Sequence, residues 1–296
     1  MLRVLPALLL FAALAAACGT SKSALPATGS PGVPIAVTAD WGTVAIADGA
    51  GTPGSVVAAT RAVTPVETTY GGRYVSSLGG QAGDGTRDWI FWVNGIEASV
   101  GAADINVSAQ DSVWWDLHRW PGRVHVPAVV ASWPMPLTRG ITGQSPPITA
   151  DAPLATALRQ AGANVSLPAA TSGPRALVGV GTALLERDPT WRAAIADPAA
   201  AGLTAWIDRK GRVRVWDAQA QTARLVPGAV AVIVATTDGF TASDAPVVVV
   251  AGITPETATA AAQYLVSNPE ITRGTAALCL GPDNQIACVG GVGLVQ

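Results

Sequence analysis

The chain has 296 residues, of which 49% are hydrophobic and 13% charged, with a formal net charge of −2. That length suffices for two ordinary domains, and the apolar content excludes a disordered chain. Near-neutral charge without a basic stripe argues against nucleic acid as a partner.

The first element reads as a leader, residues 1–17. Arg3 supplies a small positive charge, and Leu5–Ala17 is an apolar run interrupted by Pro6. The run is shorter than the roughly 20 residues that span a bilayer, but it has the length of a signal-peptide hydrophobic region. It ends in Leu14-Ala15-Ala16-Ala17-Cys18, which resembles a lipobox, with Ala15 where a leucine is preferred. The expectation is cleavage before Cys18 and lipidation of that cysteine. The chain would then be extracytoplasmic, held at the outer face of the cell membrane by lipid on Cys18. Cleavage after Ala17 by an ordinary signal peptidase, without lipid, is the alternative. Residues 18–34 are rich in Pro, Gly and Ser and read as a flexible tether.

Residues 35–132 read as a small α+β unit. Ile35–Asp40 and Thr43–Ile46 alternate like paired strands. Ser55 is a helix N-cap, and the helix through Val56, Val57, Ala59 and Val63 stops at Pro65. Tyr74-Val75 is a further strand. Trp89–Val93, the turn Asn94-Gly95 and Ile96-Glu97-Ala98 form a hairpin. Val113–Trp120 is the last strand. Strands, one helix, then more strands is the order of a β-grasp.

Residues 133–150 hold four prolines and read as a linker. Residues 151–296 alternate strand and helix patterns, predicting a second α/β or α+β domain. Arg175–Val180 is a strand; Ala183–Ala196 is helical with a break at Asp188-Pro189; Leu203–Ile207 and Arg212–Trp216 are strands. Val230–Ala235 and Val247–Ala251 are buried strands, and Thr254 caps a helix to about Val266. No segment beyond the leader is long enough for a transmembrane helix. An exported chain with three cysteines leaves one over. With Cys18 lipidated, Cys279 and Cys288 remain around the turn Gly281-Pro282-Asp283-Asn284, and a disulfide between them is expected. Two unpaired small residues in a strand pair are the alternative.

Arg87–Trp120 is the informative stretch. Trp89-Ile90-Phe91-Trp92, Val93-Asn94-Gly95, Val100-Gly101-Ala102, Gln110-Asp111 and Val113-Trp114-Trp115, with Tyr70–Val75 upstream, together resemble the transcobalamin-like C-terminal domain family. The resemblance covers residues 35 to about 130 and implies a β-grasp domain of the soluble-ligand-binding kind. In the vitamin carriers of that family the domain covers one face of cobalamin. Ala109-Gln110-Asp111 departs from the family's charged glycine turn, so cobalamin is a conceivable ligand without support of its own.

Seven of the ten tryptophans, Trp41, Trp89, Trp92, Trp114, Trp115, Trp120 and Trp133, lie in or just after this unit. Period-two alternation puts Val113, Trp115 and Leu117 on one face of the last strand and Trp114, Asp116, His118 and Trp120 on the other. A sheet packed on one helix buries one face. The second face is open to three readings: packing against the second domain, a ligand platform, or exposure without function. As a platform it would be built from Trp92, Asn94, Gly95, Glu97, Trp114, Asp116, His118 and Trp120. His118 and His125 are the only histidines, and no metal-ligand spacing accompanies them. No nucleophile elbow, HExxH or phosphate loop occurs, and no cofactor is expected. The sequence thus predicts a non-enzymatic surface lipoprotein binding a small ligand, a corrinoid or other flat metabolite, for hand-over to a membrane transporter. The alternative is an envelope scaffold or adhesion protein binding protein or wall polymer.

Overall fold

The computed structural model describes residues 32–119, 125–141, 143–144, 146–216 and 222–289. These described residues form one compact α+β unit built on two principal sheets. The leader, Cys18, most of the tether and Trp120 lie outside the described residues.

The first sheet has the strand order Val44–Gly51, Val33–Ala39, Val113–Arg119, Arg87–Val93, Ile96–Glu97. Val33–Ala39 and Val113–Arg119 run parallel at its centre, and the other pairings are antiparallel. With the helix Val56–Arg61 packed on one face, this is a β-grasp. Local chemistry explains its elements. The Ser55 hydroxyl accepts the Ala58 N–H at 3.2 Å and starts the helix. Asn94 (φ 53°) and Gly95 (φ 80°) both adopt the left-handed conformation that a type I′ hairpin turn requires. The alternation has its expected consequence. Ile35, Val37, Phe91, Trp115 and Leu117 pack against Val56, Val57 and Ala59 in one core.

The second sheet has seven strands in the order Val165–Ser166, Ile148–Ala150, Arg175–Val180, Pro246–Gly252, Ala231–Thr237, Leu278–Leu280, Ile286–Val289. The first four are parallel and the rest antiparallel. Both faces are covered, so the central strands are apolar along most of their length, with Arg175, Thr236 and Thr237 at strand ends. Val248, Val250 and Ile233 face Leu154, Leu158, Ala261 and Leu265 of the helices Ala152–Gln160 and Pro255–Ser267. Val247, Val249, Val232 and Val234 face Trp191 and Ile195 and a three-stranded sheet that carries Trp206 and Trp216. The break at Asp188 is real: its carboxylate accepts the Trp191 N–H at 2.8 Å and caps the helix Pro189–Ala196. Thr254 caps the helix Pro255–Ser267 through a capping box. Cys279 and Cys288 are disulfide-bonded across the last hairpin.

Two boundaries differ from expectation. The first strand begins at Val33, inside the expected tether. Residues 133–150 are not a free linker, because Trp133, Leu137, Ile148 and Ala150 are all buried. Two of the four prolines there start a helical turn: Pro134 and Pro136 sit at the N-terminus of Met135–Thr138. Ile148–Ala150 pairs with two neighbours in the second sheet.

Candidate functional site

The second face of the β-grasp sheet carries the candidate site residues. Trp92 and Trp114 are directly opposite on neighbouring strands and stack with ring centroids 4.5 Å apart and planes 23° from parallel. Beside them Asp116 is fully buried and accepts four hydrogen bonds. Thr38 Oγ1 (2.6 Å) and Gly42 N–H (2.9 Å) reach one carboxylate oxygen; Trp41 N–H (2.9 Å) and His118 Nδ1 (2.8 Å) reach the other. Trp114 Nε1 donates to the Thr38 hydroxyl at 2.8 Å. The Asp116 carboxylate thereby holds the turn Asp40-Trp41-Gly42, whose residues all have positive φ. Asp40 in turn has a raised carboxyl pKa, through burial and the charge of Asp116. The Trp41 indole lies flat on the His118 ring, centroids 3.7 Å apart.

This face is covered. Val126, Val129 and Ala131, from the strap after the last β-grasp strand, pack on it together with Ala276. Trp92 Nε1 donates to the Val126 carbonyl at 2.7 Å. Gly274 lies against Ala36, Thr38 and Trp114. Trp92 and Trp114 are each 1% exposed, Asp116 0% and His118 3%. The open ligand platform expected from the sequence is therefore corrected: those four residues are brought together, but as an interior. The physical reason is that aromatic area of this size is most stable out of water, and the segment following the sheet supplies the apolar cover.

The remaining candidates lie elsewhere. Asn94 Nδ2 donates to Asp111 Oδ1 (2.8 Å) and the Gly140 carbonyl (2.9 Å), and its Oδ1 accepts the Ser112 N–H (2.9 Å). Burial would raise the Asp111 carboxyl, but hydrogen bonds from Asn94, Ser108 and Arg139 hold it below its ordinary value. A Cβ on Gly95 would meet Pro136 and the Val129 carbonyl, so Gly95 is a packing seam and not a ligand contact. Glu97 lies at the sheet edge, 3.6 Å from His125; its burial lifts the carboxyl above the ordinary range, against the pull of that imidazole. Among the described residues no cluster of His, Cys, Asp or Glu could hold a metal. The other buried charge cluster, Arg175 with Asp188 and Asp238, ties a sheet strand to a helix cap and a loop and is internally satisfied.

Where the cover ends, a slot of about 220 Å3 remains between the β-grasp sheet and the segments around Trp133 and around Glu270. Ala36 and Trp114 form its β-grasp wall. Trp133 and Met135 form a second, and Glu270 and Arg273 a third. Of these wall residues, sequence reasoning singles out Trp114 and misses the second and third walls. Trp133 reads locally as the start of a linker, and nothing local marks Glu270 and Arg273, which reach the site only through the fold of the chain.

The fold and site define a class: a β-grasp module seated by its aromatic side on an α/β body, with a slot at the seam. A family model described as a domain of unknown function (DUF4430) matches residues 54–119, from the helix cap to the last β-grasp strand. That match takes in Trp92, Trp114, Asp116 and His118 but stops short of the cover and of the slot's other walls. No curated protein and no solved structure matches the chain.

Proposed function

We propose that the chain is an exported, lipid-anchored envelope protein, not an enzyme, that takes a small ligand in the slot between its transcobalamin-like β-grasp domain and its α/β body. The observation that carries this reading is the slot itself. Among the described residues it opens where the covered aromatic face ends, beside Ala36 and Trp114, and its walls come from both halves of the chain. Ligand sites favour such seams, where apolar walls meet a few polar groups. The leader ending at Cys18 supports export and anchoring, and hand-over to a membrane transporter accords with that placement. The dimensions narrow the ligand. Drug-sized molecules occupy clefts of roughly 300–1,000 Å3, so a slot of about 220 Å3 admits a compact ligand and cannot enclose a whole corrinoid.

Titrating the tryptophan fluorescence of the full chain with compact aromatic and aliphatic metabolites tests the reading. Saturable changes that disappear in Trp133→Leu support it; silence across the panel removes it. Radiolabelled palmitate incorporation that is lost in Cys18→Ser tests the anchor. The burial of Trp92 and Trp114 favours a second reading, an anchored scaffold that binds protein or wall polymer through its outer surface. Sedimentation with purified cell wall, independent of Trp133, would select it.

A further inference from the structure

We propose that the slot selects a small organic cation: a compact ammonium carrying an apolar or aromatic substituent. The inference rests on the reading of the slot as a ligand site and adds the charge of what it holds.

The two charged residues on the third wall are not equivalent. Arg273 Nε and Nη2 donate to Asp48 Oδ2 (2.7 Å) and Oδ1 (2.8 Å), and Nη2 also reaches the Ile35 carbonyl (3.4 Å). Its charge is thus compensated by a carboxylate in bidentate geometry before any ligand arrives. Glu270 has no such partner. It stands exposed in the short 3-10 turn Pro269–Thr272, where its backbone carbonyl accepts the Arg273 N–H at 3.1 Å, and no described residue bonds its carboxylate. Asp48, Arg273 and Glu270 together leave one negative charge at the mouth.

The inner walls have the matching chemistry. Trp133 lines the slot with indole, the aromatic group to which cations are most strongly attracted, and Met135 adds a polarisable thioether; Trp114 borders it but is 1% exposed. An ammonium at the mouth would meet the Glu270 carboxylate while its substituent lies against Trp133 and Met135. A carboxylate ligand would meet the one charge the rim leaves uncompensated, and of its own sign.

Three probes that share a phenylethyl group and differ in its terminal group separate the outcomes on the full chain: 2-phenylethylammonium, 2-phenylethanol and 3-phenylpropanoate, followed by tryptophan fluorescence and calorimetry. The expectation is that the ammonium binds about ten-fold or more tightly than the alcohol, with the carboxylate weakest. Glu270→Gln should abolish that preference, bringing the ammonium down to the affinity of the alcohol. Because Glu270 is exposed and its side chain unbonded, this variant should melt with the native protein, which a thermal scan confirms. Equal binding of all three probes, or tightest binding of the carboxylate, overturns the charge selectivity but leaves the slot as a ligand site. Unchanged selectivity in Glu270→Gln also overturns it. Binding by none of the three up to millimolar concentration overturns both the selectivity and the ligand reading beneath it.

Discussion

The Arg273 guanidinium grips the Asp48 carboxylate across 225 positions of sequence, joining the end of the second sheet's helical layer to the outer β-grasp strand. The pair is about half exposed, so its direct contribution to stability is small, under about 1 kcal/mol. Its consequence lies in the slot. Asp48→Asn frees the Arg273 charge and should erode the preference for 2-phenylethylammonium over 3-phenylpropanoate by several-fold, with the melting temperature little changed. The same fluorescence titration measures both.

Asp116 is the opposite case, a buried carboxylate that accepts from four donors. Asp116→Ala leaves two backbone N–H groups and an imidazole without this acceptor, while the Thr38 hydroxyl keeps the Trp115 carbonyl at 3.2 Å. We expect a loss of at least about 3 kcal/mol, because each orphaned donor carries a desolvation cost. Asp116→Asn should lose less. Urea unfolding followed by circular dichroism gives both values, and wild-type stability in Asp116→Ala would refute the account of the covered face.

Tyr74 carries a pH signature. Its hydroxyl donates to Asp88 Oδ1 at 2.6 Å, and that bond, with smaller help from burial, raises the phenol from 10.0 to about 12. A raised folded value means that stability from this contact is fully present below pH 10 and is lost as pH rises toward about 12. Absorbance titration at alkaline pH should show one late-titrating tyrosine in the native chain. Asp88→Asn should bring it back toward 10.0.

The Cys279–Cys288 bond closes a loop of sequence separation 9. Constraint of so short a loop in the unfolded chain stabilises the fold by roughly 2–3 kcal/mol. Both sulfurs are buried, so reduction should be slow under native conditions and fast once urea opens the sheet. Cys279→Ala with Cys288→Ala should lower the unfolding free energy by the stated amount, as read by urea titration.

Much of the fold was legible because its signals are local. Ser55, Asp188 and Thr254 cap the helices they were expected to cap. The left-handed pair Asn94-Gly95 makes the hairpin, since those residue types accept that backbone at little cost. Period-two alternation sorted Trp115 from Trp114 onto opposite faces, because strand geometry leaves no other choice. Residues 133–150 misled, since prolines that start a buried helical turn read locally like prolines in a linker.

The chain's own pattern therefore determined the elements, the two sheets' apolar faces and the existence of a second aromatic surface. It could not determine what lies on that surface. Packing, a ligand platform and bare exposure were all open to that surface, and only the packing of Val126–Ala131 and of Gly274 and Ala276 against Trp92 and Trp114 decided among them. Caps and alternation depend on residues a few positions apart, whereas a seam joins Ala36 and Trp114 to Glu270 and Arg273, and their meeting is a property of the folded chain alone.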